Sequence, residues 1–333
     1  MVTAIALLQL GQAADVRRVV TASARSPTKS SAGPPSARLS FAAINNPNAP
    51  MPTRYGSSTV RAQIILDQSG FSVGEIDGFL GANTLHALAA YQQAHDLAAT
   101  GRMDRRTWMV LNTAARPALV RYTVTEDDLK GPFTPIPDDL MAQSKLDYLG
   151  YSSPLEELAE RYHCDPQILR ALNPRTEFRV AGETVIVPSI RSPREAHAAK
   201  VVVSKSKSTV SAFDDQGKLI SQYPASSGSE HDPLPLGEWK VTYIAKNPKF
   251  NYNPDLFWDA EASQAKAVIA PGPNNPVGSV WINLSKPHYG IHGTPDPSEI
   301  GHTQSHGCIR LTNWDALELA GMIKAGTPAI LEE

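Results

Sequence analysis

Cysteine is nearly absent: 333 residues hold only Cys164 and Cys308. A disulfide scaffold is thereby excluded, and a single bridge would consume both thiols. An excess of charge of one sign is lacking too. Lys and Arg number 31 against 33 Asp and Glu, a formal net charge of −2, so no nucleic acid or anionic membrane surface is an expected partner. The apolar run at the start, Val2–Leu10, is far too short to span a bilayer. Gly11-Gln12-Ala13-Ala14-Asp15 follows it, which gives the outline of a secretory leader, but no Lys or Arg precedes the run. It reads as an atypical or truncated signal. Residues 22–57 lack periodicity and are rich in Ser, Pro, Ala and Asn; they read as a disordered linker, so that 1–57 stands apart from the folded part. The length suggests two or three domains.

Histidine, by contrast, is concentrated: four of nine fall between 288 and 306. Ile291-His292-Gly293-Thr294 comes first and Ser305-His306-Gly307-Cys308-Ile309-Arg310 follows, with His292 sixteen residues before Cys308. A thiol is a useful nucleophile only as thiolate, and at its ordinary pKa of about 8.5 only a few per cent is ionised at pH 7. A neighbouring imidazole can take the proton and stabilise a thiolate–imidazolium pair. His292 and His306 are both candidates. His306 and Cys308 share a face in an extended segment. His292 lies across a loop, Pro295 to Gly301, rich in turn-forming residues that can fold one segment beside the other. Gly307 removes a side chain ahead of the thiol, so backbone N–H groups there can approach a developing oxyanion. His288, His292, His302, His306 and Cys308 also include His-x3-His spacing, which suits zinc on a helix. Gly301, Gly307 and the nearby prolines oppose a helix, so no metal and no cofactor is expected. Cys164, in Tyr162-His163-Cys164-Asp165, reads as a small buried residue.

His-Gly-Thr, a loop, then Ser-His-Gly-Cys-Ile-Arg resembles the catalytic domain of the L,D-transpeptidases (the YkuD type). Pro235-Leu236-Gly237-Glu238-Trp239 and Pro271-Gly272-Pro273-Asn274-Asn275-Pro276-Val277-Gly278 extend the likeness over 199–333. The resemblance implies Cys308 as nucleophile and His292 as general base, with the Gly293 carbonyl orienting the imidazole. It implies an oxyanion site lined by His306, Gly307 and Cys308, and a substrate cleft holding Arg310, Ser305 and Tyr289.

Upstream, Val60, Ile64, Ile65 and Leu66 follow helical spacing, and Leu85, Leu88, Ala89 and Tyr91 do so after the turn Ile76-Asp77-Gly78. Thr100-Gly101-Arg102-Met103-Asp104 repeats that turn, and Thr107 to Leu111 repeats a short helix. Residues 58–115 resemble the type 1 peptidoglycan-binding domain. Residues 120–190 predict strand, helix, helix and strand: Tyr122-Thr123-Val124, then Leu155, Leu158 and Ala159, then Pro166 to Leu172 closed by Asn173-Pro174, then Val185 to Pro188. This order resembles a LysM module with an insertion from Thr125 to Ser153. Residues 190–199 read as a boundary, so that 199–333 would fold alone. Within it, Ala199–Ser204, Thr209–Phe213, Trp239–Ala245, Val268–Ala270, Val280–Leu284 and Ala329–Leu331 read as strands, and Thr312 to Ile323 as a helix. The expected fold is therefore multidomain: a small all-α domain, a small α+β LysM-like module and a mainly-β catalytic domain built as an antiparallel sandwich with a helix.

The implied function is acyl transfer to or from peptidoglycan tetrapeptide stems through a Cys308 thioester. The acceptor would be a second stem, a lipoprotein lysine, a D-amino acid or water, and the place of action the periplasm or cell wall. An L,D-carboxypeptidase and a zinc-dependent peptidoglycan hydrolase are the alternatives.

Overall fold

The computed structural model describes residues 39–333 except 114, 115, 192–194, 259, 262 and 306. Val2–Leu10, residues 22–38 of the expected linker and His306 therefore lie outside the described residues. The described residues all fall within one compact unit, Gly33–Glu333.

The first surprise is residues 39–57, expected as linker. A short helix α1 (Phe41–Ile44) is capped by Ser40. Ile44 is fully buried, Ala49 nearly so, and the Ala49 carbonyl accepts from Trp108 Nε1 at 3.1 Å. The Asn45 amide bonds the backbone of Leu119 in both directions, at 2.8 and 2.9 Å. Asn-Pro turns satisfied by side-chain amides hold this stretch, and such turns leave no hydrophobic period to read.

Helices α2 (Ser57–Gln68), α3 (Ala82–Ala94) and α4 (Arg105–Leu111) follow. Their two Gly-containing turns are held alike. Gln63 accepts from Gly78 N at 2.7 Å and donates to the Phe79 carbonyl at 3.0 Å. Gln92 accepts from Gly101 N at 2.9 Å and donates to the Arg102 carbonyl at 3.0 Å. Gly78 and Gly101 stand at φ 78° and 64°, a region costly for other residues. One buried glutamine per turn is thus the physical content of the sequence repeat.

Strand β1 (Leu119–Thr123) pairs antiparallel with β2 (Thr184–Pro188). Between them run α5 (Leu140–Gln143), α6 (Pro154–Arg161) and α7 (Pro166–Leu172). Ser153 and Asp165 cap the last two helices, each followed by Pro at the first helical position. Asn173 ties α7 to β2 by bonding Ile186 N and O at 2.7 and 2.8 Å. The apolar core of the helical module continues without a break through Leu158, Ile168 and Val185, so these two modules share one core.

The remaining strands are β3 (Lys200–Ser204), β4 (Thr209–Phe213), β5 (Leu219–Pro224), β6 (Ser226–Ser227), β7 (Gly237–Lys246), β8 (Phe250–Tyr252), β9 (Ala267–Ile269), β10 (Val280–Leu284), β11 (Gly290–His292), β12 (Ile309–Arg310) and β13 (Pro328–Glu332). Nine of them form one sheet in the order β5-β4-β3-β13-β7-β10-β11-β12-β6, and β8 pairs separately with β9. Helix α8 (Asn313–Met322) packs on β10 and β11, with Ala316 and Leu319 fully buried. The mainly-β expectation holds, but the sheet is mixed: β13 runs parallel to β3, and β12 parallel to β11. Crossovers longer than hairpins, one of them carrying α8, permit parallel neighbours that strand periodicity alone does not reveal.

Contacts run across the expected boundary at 190–199. The edge strand β5 does not face solvent. Ser72 N donates to the Gln222 carbonyl at 2.9 Å and Gln222 N to the Gly70 carbonyl at 3.1 Å, so the helical module extends the sheet. Arg191 pairs with Glu318 of α8 and reaches the Asp67 carbonyl at 3.4 Å. His163 of the middle module stacks on Trp314 of α8 at 5.2 Å while its Nδ1 lies 3.2 Å from the Asp67 carboxylate. Ser72 donates to the buried Asp315 carboxyl at 2.9 Å; burial, chiefly, pushes the Asp315 pKa up to about 8. Among the described residues no helix is long and apolar enough to cross a membrane.

Candidate active site

The parallel pairing of β11 with β12 makes the site. Ile291 stands opposite Ile309 and His292 opposite Arg310, and Leu311 N donates to the His292 carbonyl at 2.9 Å. The loop 293–308 thus returns Cys308, one residue before β12, to the side of the histidine strand. Residue Ser226 pins this loop, donating to the Glu299 carbonyl at 3.2 Å and accepting from Gly301 N at 3.0 Å. Asn83 of the helical module adds a bond to the Ile300 carbonyl at 2.9 Å.

His292 is buried, 5% exposed. Its Nδ1 lies 2.7 Å from the Gly293 carbonyl oxygen. A carbonyl only accepts, so Nδ1 carries the proton and the Nε2 lone pair is free. The ring stacks on Trp281 at 5.3 Å, and Gly290 leaves room for that indole: a Cβ there would come within 2.6 Å of it. Burial, chiefly, lowers the His292 pKa to about 4; the Arg310 charge adds to the shift and the Gly293 carbonyl opposes it. The imidazole is therefore neutral at pH 7.

Cys308 keeps partial solvent access. Its Sγ lies 3.7 Å from the carbonyl of His288, a residue at φ 67°. Burial pushes the thiol up to about 11, against the opposing pull of a backbone N–H and the Arg310 charge. The resting pair is consequently thiol and imidazole, not the thiolate–imidazolium pair expected from composition. Among the described residues no hydrogen bond joins Sγ to the His292 ring. An approach of this kind tightens in substrate complexes. Cys164 is 1% exposed and its thiol is raised well above the ordinary value by burial.

Alkylation measures this state directly. The rate of Cys308 with iodoacetamide should climb about tenfold per pH unit from pH 6 to 9, without a plateau, because the thiolate fraction grows that way below the pKa. His292→Ala should leave that profile nearly unchanged, and Cys164 should stay silent until unfolding. A plateau at neutral pH that His292→Ala abolishes would instead establish a resting ion pair.

Gly307 sits at φ 95°, and a Cβ there would come within 2.7 Å of the Tyr289 ring. The turn before Cys308 therefore needs glycine on both counts, and Tyr289 lies against it. The Tyr289 hydroxyl is raised by burial and, secondarily, by Asp232 and Cys308. Ser305 is buried, and its hydroxyl is committed to the loop: it donates to the Cys308 carbonyl at 2.5 Å and accepts from Gly228 N at 2.8 Å. Arg310 donates through Nη2 to Thr303 Oγ1 and to the Gln304 carbonyl, both at 2.7 Å. His302 is exposed and lines a polar cavity between the loop and the helical module.

Two residues that sequence reasoning passed over complete the site. Trp281 covers the imidazole. Asn313, read only as part of a helix start, has its Oδ1 accepting from Ser279 N at 2.8 Å and its Nδ2 donating to the Pro273 carbonyl at 3.0 Å. A Cβ at either Gly278 or Gly293 would collide with Asn313 Oδ1. Thr312-Asn313 directly after the Cys308 segment was the available signal, and its capping role concealed it.

A neutral imidazole on β11 and a thiol just ahead of the adjacent strand β12 of a mainly-β domain, with a glycine turn before the thiol, define a cysteine acyltransferase type of centre. Residues 198–331 match the family described as the L,D-transpeptidase catalytic domain (YkuD), and residues 55–111 the one described as a peptidoglycan binding domain. The L,D-transpeptidase YkuD of Bacillus licheniformis is 33% identical over 175 residues, which cover 52% of this chain and 90% of that protein. The L,D-transpeptidase YbiS of Escherichia coli K12 is 27% identical over 223 residues, 64% of this chain and 72% of that protein. A crystal structure of an L,D-transpeptidase from Xylanimonas cellulosilytica is 17% identical at a TM-score of 0.36, covering 85% of this chain and 96% of that one. The chain belongs to the YkuD-type L,D-transpeptidase family. It is an L,D-transpeptidase whose substrate is peptidoglycan.

Proposed function

We propose that Cys308 carries the acyl group and that His292 moves its proton. The supporting observation is the His292 tautomer: with Nδ1 committed to the Gly293 carbonyl, Nε2 is the basic nitrogen in reserve. On attack, the Sγ proton passes to Nε2 as the Sγ–C bond forms. The N–H groups of Gly307 and Cys308, with His306, hold the oxyanion. The imidazolium then protonates the leaving amine of the terminal D-Ala, the C–N bond breaks, and a thioester to the third stem residue remains. An acceptor amine attacks the thioester and gives a proton to His292; the C–S bond breaks, and the imidazolium returns a proton to Sγ, which restores the thiol and the neutral imidazole. Arg310 and Tyr289 flank the cleft, Arg310 by holding the 303–304 segment. Ser305 contributes by fixing the Cys308 carbonyl.

The acceptor is a second stem in this reading, which makes cross-links; a lipoprotein lysine or another amine would serve the same chemistry, and water would give an L,D-carboxypeptidase. Peptidoglycan as substrate supports action in the periplasm or cell wall. The strand–helix–helix–strand order of residues 119–188 supports a LysM-like module.

Mass spectrometry of the intact protein with a disaccharide-tetrapeptide tests the reading. A mass increase of the stem less D-Ala, mapped to the Cys308 peptide and discharged by added stem, is the expected result. Turnover with no adduct and full loss on chelation would overturn it in favour of a zinc-dependent hydrolase. Discharge by water alone would reduce the activity to carboxypeptidase.

A further inference from the structure

Asn313 works on the catalytic loop only in one orientation of its amide. Oδ1 must face Ser279 N–H, because a flipped amide would set donor against donor. The Pro273 carbonyl favours that orientation from within the domain, and a carboxylate from outside the catalytic domain reinforces it. Glu160, on α6 of the middle module, offers both carboxylate oxygens to Asn313 Nδ2, at 3.1 and 3.2 Å. Tyr151 holds that carboxylate in place with a hydroxyl bond to Oε1 at 3.0 Å. The same module grips the neighbouring loop a second time. The Asn274 amide donates to Glu156 Oε1 at 2.7 Å and to the Gly150 carbonyl at 2.9 Å. Leu149 exchanges backbone bonds with Pro271 and Asn274 at 2.9 and 3.0 Å.

We infer that Glu160 is a positioning residue for the transpeptidase reaction: it fixes the Asn313 amide, which seats the Gly278–Ser279 and Gly293 backbone and so the carbonyl that orients His292. The inference rests on His292 being the base. Each step is a direct contact in the structure. Asn313 Oδ1 occupies the space a side chain would take at both Gly278 and Gly293, so the amide and the Gly293 peptide set each other's position. Gly293 N then donates to the Val280 carbonyl at 3.2 Å, and the Gly293 carbonyl meets Nδ1 at 2.7 Å. A half-buried carboxylate is costly where only stability is at stake; burial raises the Glu160 pKa to about 7 even with two hydrogen-bond donors on it. The middle module thereby belongs to the catalytic centre and is more than a tether.

The full chain carries the test, as Glu160→Ala, Glu160→Gln, Asn313→Ala and the double variant Glu160→Ala/Asn313→Ala. Glu160→Ala should lower kcat on the disaccharide-tetrapeptide between about tenfold and a hundredfold, the range that a small misplacement of a reacting group produces, with KM little changed. Glu160→Gln keeps an acceptor oxygen for Asn313 and should retain more of kcat. In the Asn313→Ala background, Glu160→Ala should have no further effect on kcat, as for two residues acting in series. The imidazole 15N shifts of His292 should show the Nδ1–H tautomer in the parent and a mixture in Glu160→Ala. An equal kcat loss in both backgrounds, or a lowered melting temperature with kcat and the 15N shifts unchanged, would overturn the inference. Should Glu160→Ala fail to fold, the same cycle run with Glu160→Gln decides. The 15N readout does not depend on turnover, so a thioester forming elsewhere would fail the adduct experiment while leaving this one interpretable.

Discussion

Cys308→Ala is expected to lose at least about a thousandfold in turnover, the scale seen when a covalent nucleophile is removed from a hydrolytic triad. The protein should otherwise be intact. Among the described residues Sγ makes only weak polar contacts, to the His288 carbonyl at 3.7 Å and to a backbone N–H, and it stays partly open to solvent, so replacing it by a methyl group leaves little void. The melting temperature should move by no more than about 1 °C, the equivalent of under about 1 kcal/mol in a chain of this size. Cys308→Ser should be nearly as inactive. A hydroxyl is a far weaker acid than a thiol, and an imidazole whose pKa burial has lowered to about 4 is a weak base to deprotonate it. The measurement is single-turnover acylation by a stem peptide, followed by mass, together with a thermal melt of each variant. Turnover in Cys308→Ala within tenfold of the parent would sink the thioester route whatever the melt shows.

The chemistry of this chain was easier to read in the sequence than its assembly. The segment Ser305 to Arg310 and the distant His292 were legible because a nucleophile needs a base, and few histidines were available. Strands Thr209–Phe213 and Val280–Leu284 end in the structure where their apolar runs end, since turn residues bound them. The protonation state was not legible. An imidazole near a thiol suggests an ion pair, but burial acts on both groups in the opposite sense, and burial is a property of the whole fold. The parallel pairing of β11 with β12 was also hidden, because no local period records which strand lies beside which. The Glu160–Asn313 contact joins two polar residues 153 positions apart, neither of which stands out in its own helix.

The expectation of a separable catalytic domain meets many contacts across its boundary, and it leads to the other large effect. A chain reduced to residues 196–333 should fail to fold cooperatively. Its edge strand β5 would lose the backbone bonds from Gly70 and Ser72 and present free N–H and C=O groups, a template for aggregation. Tyr223 and Leu219, buried in the full chain, lie on that strand, and α3 packs over it. On α8, Trp314 would lose His163 and Asp315 would lose Ser72, while Asn274 and Asn313 would lose Gly150, Glu156 and Glu160. Each large apolar side chain brought back to water costs about 1.5–3 kcal/mol, and a domain has only about 5–15 kcal/mol of net stability to lose. Residues 196–333 alone should therefore elute as aggregate, with weak near-ultraviolet dichroism and no sharp melting transition. Co-expression with residues 39–191 as a separate chain should restore a soluble complex, because the lost contacts lie between folded surfaces and need no covalent link. A monomeric 196–333 that melts cooperatively near the parent temperature and acylates a soluble stem peptide at the parent rate would show that the N-terminal modules are dispensable tethers after all.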